Sequence, residues 1–588
     1  MCGMLAELWK RLPRARRRQF FILLALMLAA SFAEVISIGA ILPFLGVLTA
    51  PQKVISYPPL QLFIHWLGVV EARQLLLPLT FVFCAAALVA GAIRILLVYA
   101  TTRYSYAVGA DISIDVYRRT LFQPYPMHIA RNSSEVINAI TGKTAMVIGS
   151  VFVPLMTLAS AAIILSGVIL ALVAVDPMIA LVAGVLFGGI YLVIVGVSKR
   201  KLRENSECVA RESTQVIKSL QEGLGGIRDV LIDGTQELYC QIYRSADRPL
   251  RQAQGNTIFL SSSPRYLIET LGLVLVAGLA YSMSQRPGGV ATAIPVLGAL
   301  ALGAQRLLPV LQQGYSSYVI MRGAEASLRD TLALMDQPLP DQVAEPAKSP
   351  LPFASTIELK QLGFRYAPQL PWVLRGVDLE IRRGSRVGFI GTTGIGKSTL
   401  FDVIMGLLPP TEGILAIDGV PVTPHNQRAW QAHLAHVPQN VYLADTSIAE
   451  NIAFGVPRES IDFDRVREAA RGAQIAQTIE SLPEQYRAAV GERGARLSGG
   501  QRQRIGIARA LYKKADVIIL DEATSALDHE TELAVMKSIH ALSPDITLLI
   551  IAHRLSTLKD CDTVVELGRG GIRRTGPYEE IVNKETTT

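Results

Sequence analysis

The chain has 588 residues, a net charge of +8 and a hydrophobic content of 50%, and 18% of its residues are charged. This length allows two or three domains, and the composition is too apolar for a purely soluble enzyme and too charged for a wholly membrane-buried protein. The composition therefore predicts a membrane domain joined to a soluble domain, and the basic excess indicates a positive-inside bias rather than nucleic-acid binding.

The N-terminal segment is basic and then apolar. Arg14 to Arg18 precede an apolar run from Phe20 to Leu48, which is roughly twice as long as the apolar core of a secretory signal, so we interpret it as a first membrane span. The five cysteines are scattered and lack the spacing of a zinc or redox motif. They are predicted to be free thiols in a chain that mostly faces a reducing cytosol.

Six stretches are long and apolar enough to cross a bilayer, which takes about 20 residues. They lie near 20–48, 75–100, 147–175, 178–198, 258–284 and 291–312. Lys and Arg are concentrated in the leader and in 199–257 and are sparse in the alternate loops, which predicts that both termini are cytosolic. The third and fourth spans, separated by Asp176-Pro177, are predicted to form a tight hairpin.

The predicted cytosolic segments 101–146 and 199–257 are too long for simple turns. Both have helical character interrupted by breakers, at Gln123–Pro126 and at Gly223–Gly226, so we expect spans that continue into the cytosol and turn at the far end. The transmembrane domain is thus predicted at 1–335, followed by a linker at 336–355 that is rich in Pro and Ala.

From 356 to 588 the composition is that of a soluble α/β domain. Short β-branched runs at Arg386–Ile390, Val517–Leu520 and Thr547–Ile551 alternate with helical patterns and predict a largely parallel sheet. The fold class expected for the whole chain is an α-helical six-span transmembrane domain followed by an α/β P-loop NTPase domain.

A phosphate-binding loop is predicted between the strand VGFI and the helix STLFDVIMGLL. The sequence fits G-x4-G-K-[ST] in the strand–loop–helix context that this motif requires. Its backbone N–H groups would wrap the phosphates of a nucleotide, Lys397 would reach the β and γ phosphates, and Ser398 would coordinate Mg2+. The candidate nucleotide-binding residues here are Gly391, Thr392, Thr393, Gly394, Ile395, Gly396, Lys397, Ser398 and Thr399.

An apolar strand from Asp516 ends in two acids, Asp521 and Glu522. The first can hold the Mg2+ shell and the second can polarise the attacking water. Alone, the pattern fits a solvated acidic turn equally well; downstream of a phosphate loop it favours catalysis. Ser498, Gly499, Gly500 and Gln501 stand at the start of another helix and predict a second anion site.

LSGGQ about a hundred residues after the phosphate loop and shortly before LDEATSALD resembles the ABC transporter ATPases. This resemblance, which covers the whole soluble part, implies that Tyr366, in Phe-Arg-Tyr before the first strand, stacks on adenine, although it could be only a surface aromatic. It implies that Gln439 senses Mg2+, that His553 contacts the γ-phosphate, and that the chain hydrolyses ATP.

Gly491–Gly494 resembles an element that contacts cytosolic loops, and Ser525–Asp528 resembles a dimer-contact loop. Because in this family LSGGQ of one subunit closes over the phosphate loop of another, the resemblance implies a dimer, with a second copy of the chain permitted as the partner.

The membrane domain resembles the six-span exporter type, and more softly the bacterial lipid-linked oligosaccharide flippases of the PglK type. The softer likeness comes from SFAEVISIGAILPFL, SSSPRYLIETLGL and ALGAQRLLPVLQQGYSSY. It implies an anionic lipid-linked oligosaccharide as cargo, and a bacterial inner membrane as location with the ATPase domain in the cytosol. The alternative cargo is a peptide or a hydrophobic drug. A non-transport ATPase and an ATP-gated channel are the rival functions.

Three arginines stand within apolar spans, where each costs roughly 3 kcal/mol or more unless it faces a cavity or a partner. Arg94, Arg265 and Arg306 are predicted at similar depth in the cytosolic half, where they would bind a pyrophosphate headgroup. Two alternatives are open: Arg265 pairs with Glu269 one turn away, or Arg94 snorkels to the headgroups. The external segment 58–73 is predicted to be an interfacial helix in contact with membrane lipid, or else an early start of span two.

Overall fold

The computed structural model describes residues 1–49, 76–175, 177–284, 308–339, 351–524, 526–540, 545–552 and 554–582. Its contacts divide the chain into two compact units. One comprises Met1–Gln123 with His128–Leu339, and the other comprises Pro124–Met127 with Pro340–Thr588.

Up to residue 339, the described residues form helices and no strand. The longer helices are α1 (Cys2–Arg11), α2 (Arg14–Thr49), α3 (Leu76–Leu121), α4 (Val153–Val175), α5 (Pro177–Gly225), α6 (Gln236–Ser284) and α7 (Glu325–Met335). Shorter helices cover Tyr125–Ala130, Ser133–Asn138, Thr144–Val147 and Ile227–Ile232, π-helical turns cover Ala139–Lys143 and Ile148–Phe152, and residues 308–323 are also helical.

Three helical stretches of the described chain are long and apolar enough to span a bilayer, at Arg14–Ser37, Leu76–Leu121 and Ser133–Leu170. They coincide with the first three predicted spans. The predicted fourth and fifth spans lie within α5 and α6. Most of the sixth, and the external segment 58–73, lie outside the described residues.

Several helices continue well beyond the length of a span. Helices α3, α5 and α6 have 46, 49 and 49 residues, against the roughly 20 that a bilayer requires. Helix α3 ends just before Gln123-Pro124, and α5 ends at Gly225 within the predicted breaker. The structure therefore shows helices longer than a span that end near these breakers, while the cytosolic location of their extensions stays a prediction.

The extended part of α3 is held by a core of its own. Val108, Ile112 and Val116 of α3 are buried in one cluster with Leu328 and Leu332 of α7. Their spacing of four residues places them on one face of the helix. This packing explains why α3 remains helical after its apolar membrane stretch ends.

The second unit combines two sheets with helices. Its strands are β1 (Thr356–Phe364), β2 (Leu374–Arg382), β3 (Arg386–Ile390), β4 (Glu412–Ile417), β5 (Val420–Pro421), β6 (Leu434–Val437), β7 (Val517–Asp521), β8 (Thr547–Ile551), β9 (Thr563–Gly568) and β10 (Gly571–Gly576). Its helices are α8 (Lys397–Ile404), α9 (Gly499–Lys513) and α10 (His529–His540), with shorter ones at Gln427–Gln431, Ile448–Ile452, Phe463–Gly472, Ala476–Glu480 and Tyr578–Val582 and 3-10 turns at Arg458–Ser460, Gln485–Arg487, Glu492–Gly494 and Leu555–Leu558.

The larger sheet has the order β10-β9-β3-β8-β7-β6 and is parallel except for the β9–β10 pair. It contains the three strands predicted from β-branched runs, and the predicted parallel sheet is confirmed. The smaller sheet, β2-β1-β4-β5, is antiparallel and was not predicted, because its strands mix charged and apolar residues without a continuous apolar run.

The predicted linker at 336–355 is shorter in the structure than in the sequence prediction. Phe353 is buried in the core of the second unit. Asp418 accepts hydrogen bonds from the backbone N–H groups of Ala354 (2.5 Å), Ser355 (2.8 Å) and Thr356 (2.7 Å). Partial burial raises the pKa of Asp418, but these donors outweigh it and hold the pKa at about 2. The last residues assigned to the linker therefore belong to the soluble fold.

Candidate nucleotide site

Predicted site residues follow three of four neighbouring parallel strands at one edge of the larger sheet. Strands β3, β8, β7 and β6 lie side by side, and parallel strands have their carboxyl ends at the same edge. Gly391 directly follows β3, Glu522 follows β7, and Gln439 comes two residues after β6. Ligands of open α/β sheets bind at this edge, so the topology gathers sequence segments that are up to about 130 residues apart.

The loop after β3 has the backbone of a phosphate cradle. Gly391, Gly394 and Gly396 have φ angles of 150°, 80° and 108°, in the region that favours glycine. Gly396 is the N-cap of α8, so the loop leads directly into a helix N-terminus, which favours anions. The predicted helix is confirmed but ends at Ile404, shorter than the apolar pattern indicated.

Replacing Gly391 by Ala should weaken nucleotide binding. A Cβ at Gly391 would lie 2.8 Å from the carbonyl oxygen of Leu567, whereas a Cβ at Gly394 would meet nothing within 4 Å. Both positions share the backbone strain, roughly 1–3 kcal/mol, but only Gly391→Ala adds the clash. We expect about tenfold weaker binding or more for Gly391→Ala, measured by titration with a fluorescent ATP analogue. A Gly394→Ala variant that binds as weakly would contradict the assigned role of the Leu567 contact.

Lys397 is folded onto the loop that it follows. Its Nζ donates to the carbonyl oxygens of Gly391 (2.7 Å) and Thr392 (3.2 Å), and the residue is buried. Burial lowers the pKa of Lys397, and the nearby carboxylates of Glu522 and Asp521 oppose this change. A buried ammonium held by two loop carbonyls can exchange these partners for phosphate oxygens.

Ser398 and Asp521 form a pair of oxygen donors that fits Mg2+. The Ser398 hydroxyl lies close enough to Asp521 to lower the pKa of its carboxyl group. Burial raises the pKa of Asp521, as does Glu522, while Lys397 and Ser398 lower it. Mg2+ prefers hard oxygen ligands and is usually bound by one or two protein groups together with phosphates and waters. The residues present therefore fit the metal that the sequence predicts.

The predicted catalytic carboxylate is held from several sides. Gln439 Nε2 donates to Glu522 Oε2 at 2.6 Å. Glu522 has φ +50°, and its N–H donates to the carbonyl oxygen of Ile551 in β8 at 3.1 Å. A non-glycine residue in this left-handed region is uncommon and is maintained only where surrounding contacts fix it. The backbone strain thus coincides with the residue predicted to activate water.

Tyr366 reaches the phosphate-loop helix, but its position in the chain differs from the prediction. It follows β1 rather than preceding the first strand. The prediction was wrong because β1 mixes charged and apolar residues and so lacks a clear strand pattern. Its hydroxyl lies 3.1 Å from Thr399 Oγ1, and the residue is 51% exposed. An exposed aromatic ring anchored beside the loop is suited to stacking on a purine base.

The second predicted anion site is a capped helix start. Ser498 is the N-cap of α9 and forms a capping box with Gln501, through Ser498 N–H to Gln501 Oε1 (2.8 Å) and Gln501 N–H to Ser498 Oγ (3.2 Å). A Cβ at Gly500 would lie 3.1 Å from the carbonyl oxygen of Ala526, so Gly500 permits close approach of the next loop. The side chain of Gln501 is engaged in the capping box. The predicted anion site at this helix N-terminus therefore consists of Ser498, Gly499 and Gly500.

Comparisons with known proteins decide the family. Residues 374–525 match the ABC transporter family, and residues 20–281 match the ABC transporter transmembrane region. An ATP-dependent lipid A-core flippase of Cupriavidus metallidurans is 30% identical over 513 residues, which cover 85% of this chain and 84% of that protein. The chain belongs to the ABC transporters.

Two further comparisons extend over almost the whole chain. The heterocyst differentiation ATP-binding protein HepA of Nostoc sp. is 29% identical over 95% of this chain and 90% of its own length. The structure of a bacterial Atm1-family ABC exporter with ATP bound has a TM-score of 0.77 and 26% identity, and covers 97% of this chain and 96% of that one. The predicted fold class and the ATP-driven exporter function are confirmed, while the PglK-type resemblance is not.

Two site residues of this ABC transporter escaped the sequence prediction. Gln503 of α9 is buried; its Nε2 donates to the carbonyl oxygen of Glu522 (3.5 Å), and its Oε1 accepts from Ala526 N–H (3.0 Å). Asp402 of α8 has its pKa raised to about 6 by burial and by Asp521. The sequence shows no pattern that would reveal either residue. Gln503 is one polar residue within an amphipathic helix, and Asp402 is a single acid among apolar residues.

Several predicted residues are only partly characterised. His553 and Ser525 lie outside the described residues. Asp528 accepts from Thr531 N–H at 2.9 Å at the start of α10. Gly491 and Gly494 have φ angles of 74° and 72°, which explains their glycines. Four of the five cysteines predicted to be free thiols, Cys84, Cys208, Cys240 and Cys561, are free in the structure; for Cys2 this stays a prediction.

The membrane arginines differ in their surroundings. Arg94 is exposed on α3, and within the described part of the chain no carboxylate lies at ion-pair distance from it. Arg265 Nε donates to Glu269 Oε1 at 2.7 Å, so the pairing left open by the sequence is present. Arg306 lies outside the described residues. The common site predicted for the three arginines therefore stays a prediction.

Proposed function

We propose that this ABC transporter flips an anionic lipid-linked oligosaccharide across the bacterial inner membrane, working as a homodimer. ATP-driven export or flipping is the activity that the comparisons support. The observation that carries the proposed cargo is Arg94, an exposed guanidinium without an ionic partner in the described chain, on the span helix α3. Such a residue within a span ordinarily faces a cavity or a ligand, and guanidinium groups bind phosphates in bidentate fashion.

The relatives support a lipid rather than a peptide or a drug. The Cupriavidus protein that matches 85% of the chain is named a lipid A-core flippase. That name indicates that the cargo of the relative is an amphiphilic lipid. We propose the same class of cargo for this chain. The oligosaccharide headgroup is the specific part of the proposal, and it derives from the likeness of three membrane segments to oligosaccharide flippases.

The arrangement of side chains supports a division of roles in ATP hydrolysis. Lys397 and the loop N–H groups bind the phosphates, and Tyr366 stacks on the adenine. Mg2+, held by Ser398 and Asp521 with Gln439 nearby, would neutralise charge on the phosphates when bound. Glu522 orients the attacking water while its hydrogen bond from Gln439 (2.6 Å) fixes the carboxylate.

The homodimer rests on the two anion sites. One chain carries one phosphate loop and one helix start at Ser498, and His553 completes the set predicted around the γ-phosphate. In the family, the second type of site serves the nucleotide of another subunit. Because this chain carries both types of site, two identical copies can form two complete nucleotide sites without a second kind of subunit.

The cargo is tested by reconstitution. The purified protein in proteoliposomes should move a fluorescent lipid-linked oligosaccharide between leaflets with ATP, read by protection from a membrane-impermeant quencher. Lipid A and a hydrophobic peptide, offered separately, should move at least about tenfold more slowly, the scale of a lost recognition contact of about 1.4 kcal/mol. Transport of lipid A alone would indicate the same cargo as that of the named relative, and it would refute the oligosaccharide as the cargo.

A further inference from the structure

A buried carboxylate outside the predicted catalytic set joins two loops of the site. Glu532, in the first turn of α10, is 3% exposed. Its Oε1 accepts from Thr524 Oγ1 at 2.9 Å and from Thr557 Oγ1 at 2.8 Å. Its Oε2 accepts from Arg554 at 3.0 Å. Both oxygens of the carboxylate are therefore engaged.

The three donors come from the two loops that carry the predicted chemistry. Thr524 lies two residues after Glu522, beyond the carboxyl end of β7. Arg554 and Thr557 follow β8, and Arg554 is the direct neighbour of His553 in the chain. The Glu532 side chain thus connects the segment of the catalytic carboxylate to the segment of the predicted γ-phosphate histidine.

The contacts are of a kind that fixes geometry. A buried carboxylate is stable only when it is paired and hydrogen-bonded, and charge-assisted hydrogen bonds are roughly twice as strong as neutral ones. Glu522 itself has a left-handed backbone, φ +50°, which persists only where its surroundings over-determine it. The N–H of Glu522 is bound to Ile551, and Glu532 supplies the next point of attachment, at Thr524.

We propose that Glu532 is a positioning residue for ATP hydrolysis, which sets the segments that follow β7 and β8 relative to each other through Thr524, Arg554 and Thr557. This proposal rests on the proposed catalytic role of Glu522. Glu532 makes no contact with the phosphate loop among its hydrogen bonds in the described residues. Its removal should therefore change the rate of the chemical step and leave nucleotide binding intact.

The first test replaces Glu532 by Gln. The amide keeps the size of the side chain but loses the charge that pairs with Arg554, so the loops shift. Small displacements of reacting groups cost up to about a hundredfold in rate, and we expect kcat for ATP to fall about ten- to a hundredfold while KM and nucleotide affinity change less than about twofold. Glu530→Gln is the matched control, because Glu530 lies in the same turn and is exposed; it should keep normal kcat.

A double-mutant cycle separates positioning from stability. Thr524→Val and Thr557→Val each remove one donor and keep the side-chain shape, so they remain testable if Glu532→Gln fails to fold. Because both act through one carboxylate, their effects on kcat should be non-additive. A lower melting temperature with unchanged kcat, or additive effects on kcat, would overturn the proposal. Glu522→Gln, measured in parallel, reveals independently whether the catalytic assignment itself fails.

Discussion

Replacing Glu522 by Gln should leave ATP binding intact and reduce ATP hydrolysis by about two orders of magnitude or more, the scale of a lost catalytic group. The amide cannot accept a proton from water, but it has nearly the same size. Gln439 can still donate to the remaining carbonyl oxygen, and the N–H contact with Ile551 is a backbone bond that the substitution does not touch. The loop should therefore keep its shape.

The measurement pairs steady-state phosphate release with nucleotide binding. Because bound ATP is not consumed, dimers with trapped ATP should accumulate and be visible by size-exclusion chromatography with retained nucleotide. Lys397→Ala serves as the opposite control, since it should lose nucleotide binding together with hydrolysis. A Glu522→Gln protein that hydrolyses ATP at a near-normal rate would refute the catalytic assignment.

The parts of the fold that follow from sequence are those with a strong local pattern. The strands β3, β7 and β8 are short apolar runs between polar segments, and each is buried. The phosphate loop needs three glycines at positive φ, and it shows them directly in the sequence. The helix ends at Leu121, just before Gln123-Pro124, and at Gly225 were predictable because Pro and Gly interrupt helices.

What the sequence did not predict depends on contacts between distant segments. The antiparallel strand β1 pairs with β2 and β4, and its charged residues conceal the strand pattern. Phe353 resembled part of a Pro-rich linker because nothing nearby in sequence shows that Trp430 packs against it, with ring centroids 5.7 Å apart. Glu532 is similar: an acid in a helix first turn is usually a solvated cap, and only the fold brings Thr557 to it.

Simultaneous replacement of Arg94, Arg265 and Arg306 by Ala should abolish transport of an anionic lipid and leave basal ATP hydrolysis in place. Arg94 stands 18 residues after Leu76 at the start of α3, which is about 27 Å along a helix at 1.5 Å per residue. If span two enters the bilayer near residue 75 from the outside, as the sequence predicts, Arg94 is expected in the cytosolic half of a hydrocarbon core about 30 Å thick. ATP hydrolysis should persist because the phosphate loop belongs to the other compact unit.

The ion pair between Arg265 and Glu269 makes single variants more informative than the triple variant. If Arg265 binds cargo, Glu269→Gln should leave transport of the anionic lipid unimpaired, because it frees the guanidinium. If Arg265 only stabilises α6 through this exposed pair, which water screens strongly, Arg265→Ala and Glu269→Gln should both be nearly silent. Arg94→Lys keeps the charge and loses the bidentate geometry, so it should transport more slowly than the parent and faster than Arg94→Ala. Equal transport by all of these variants in proteoliposomes, or loss of assembly in the triple variant, would show that the arginines are not the cargo site.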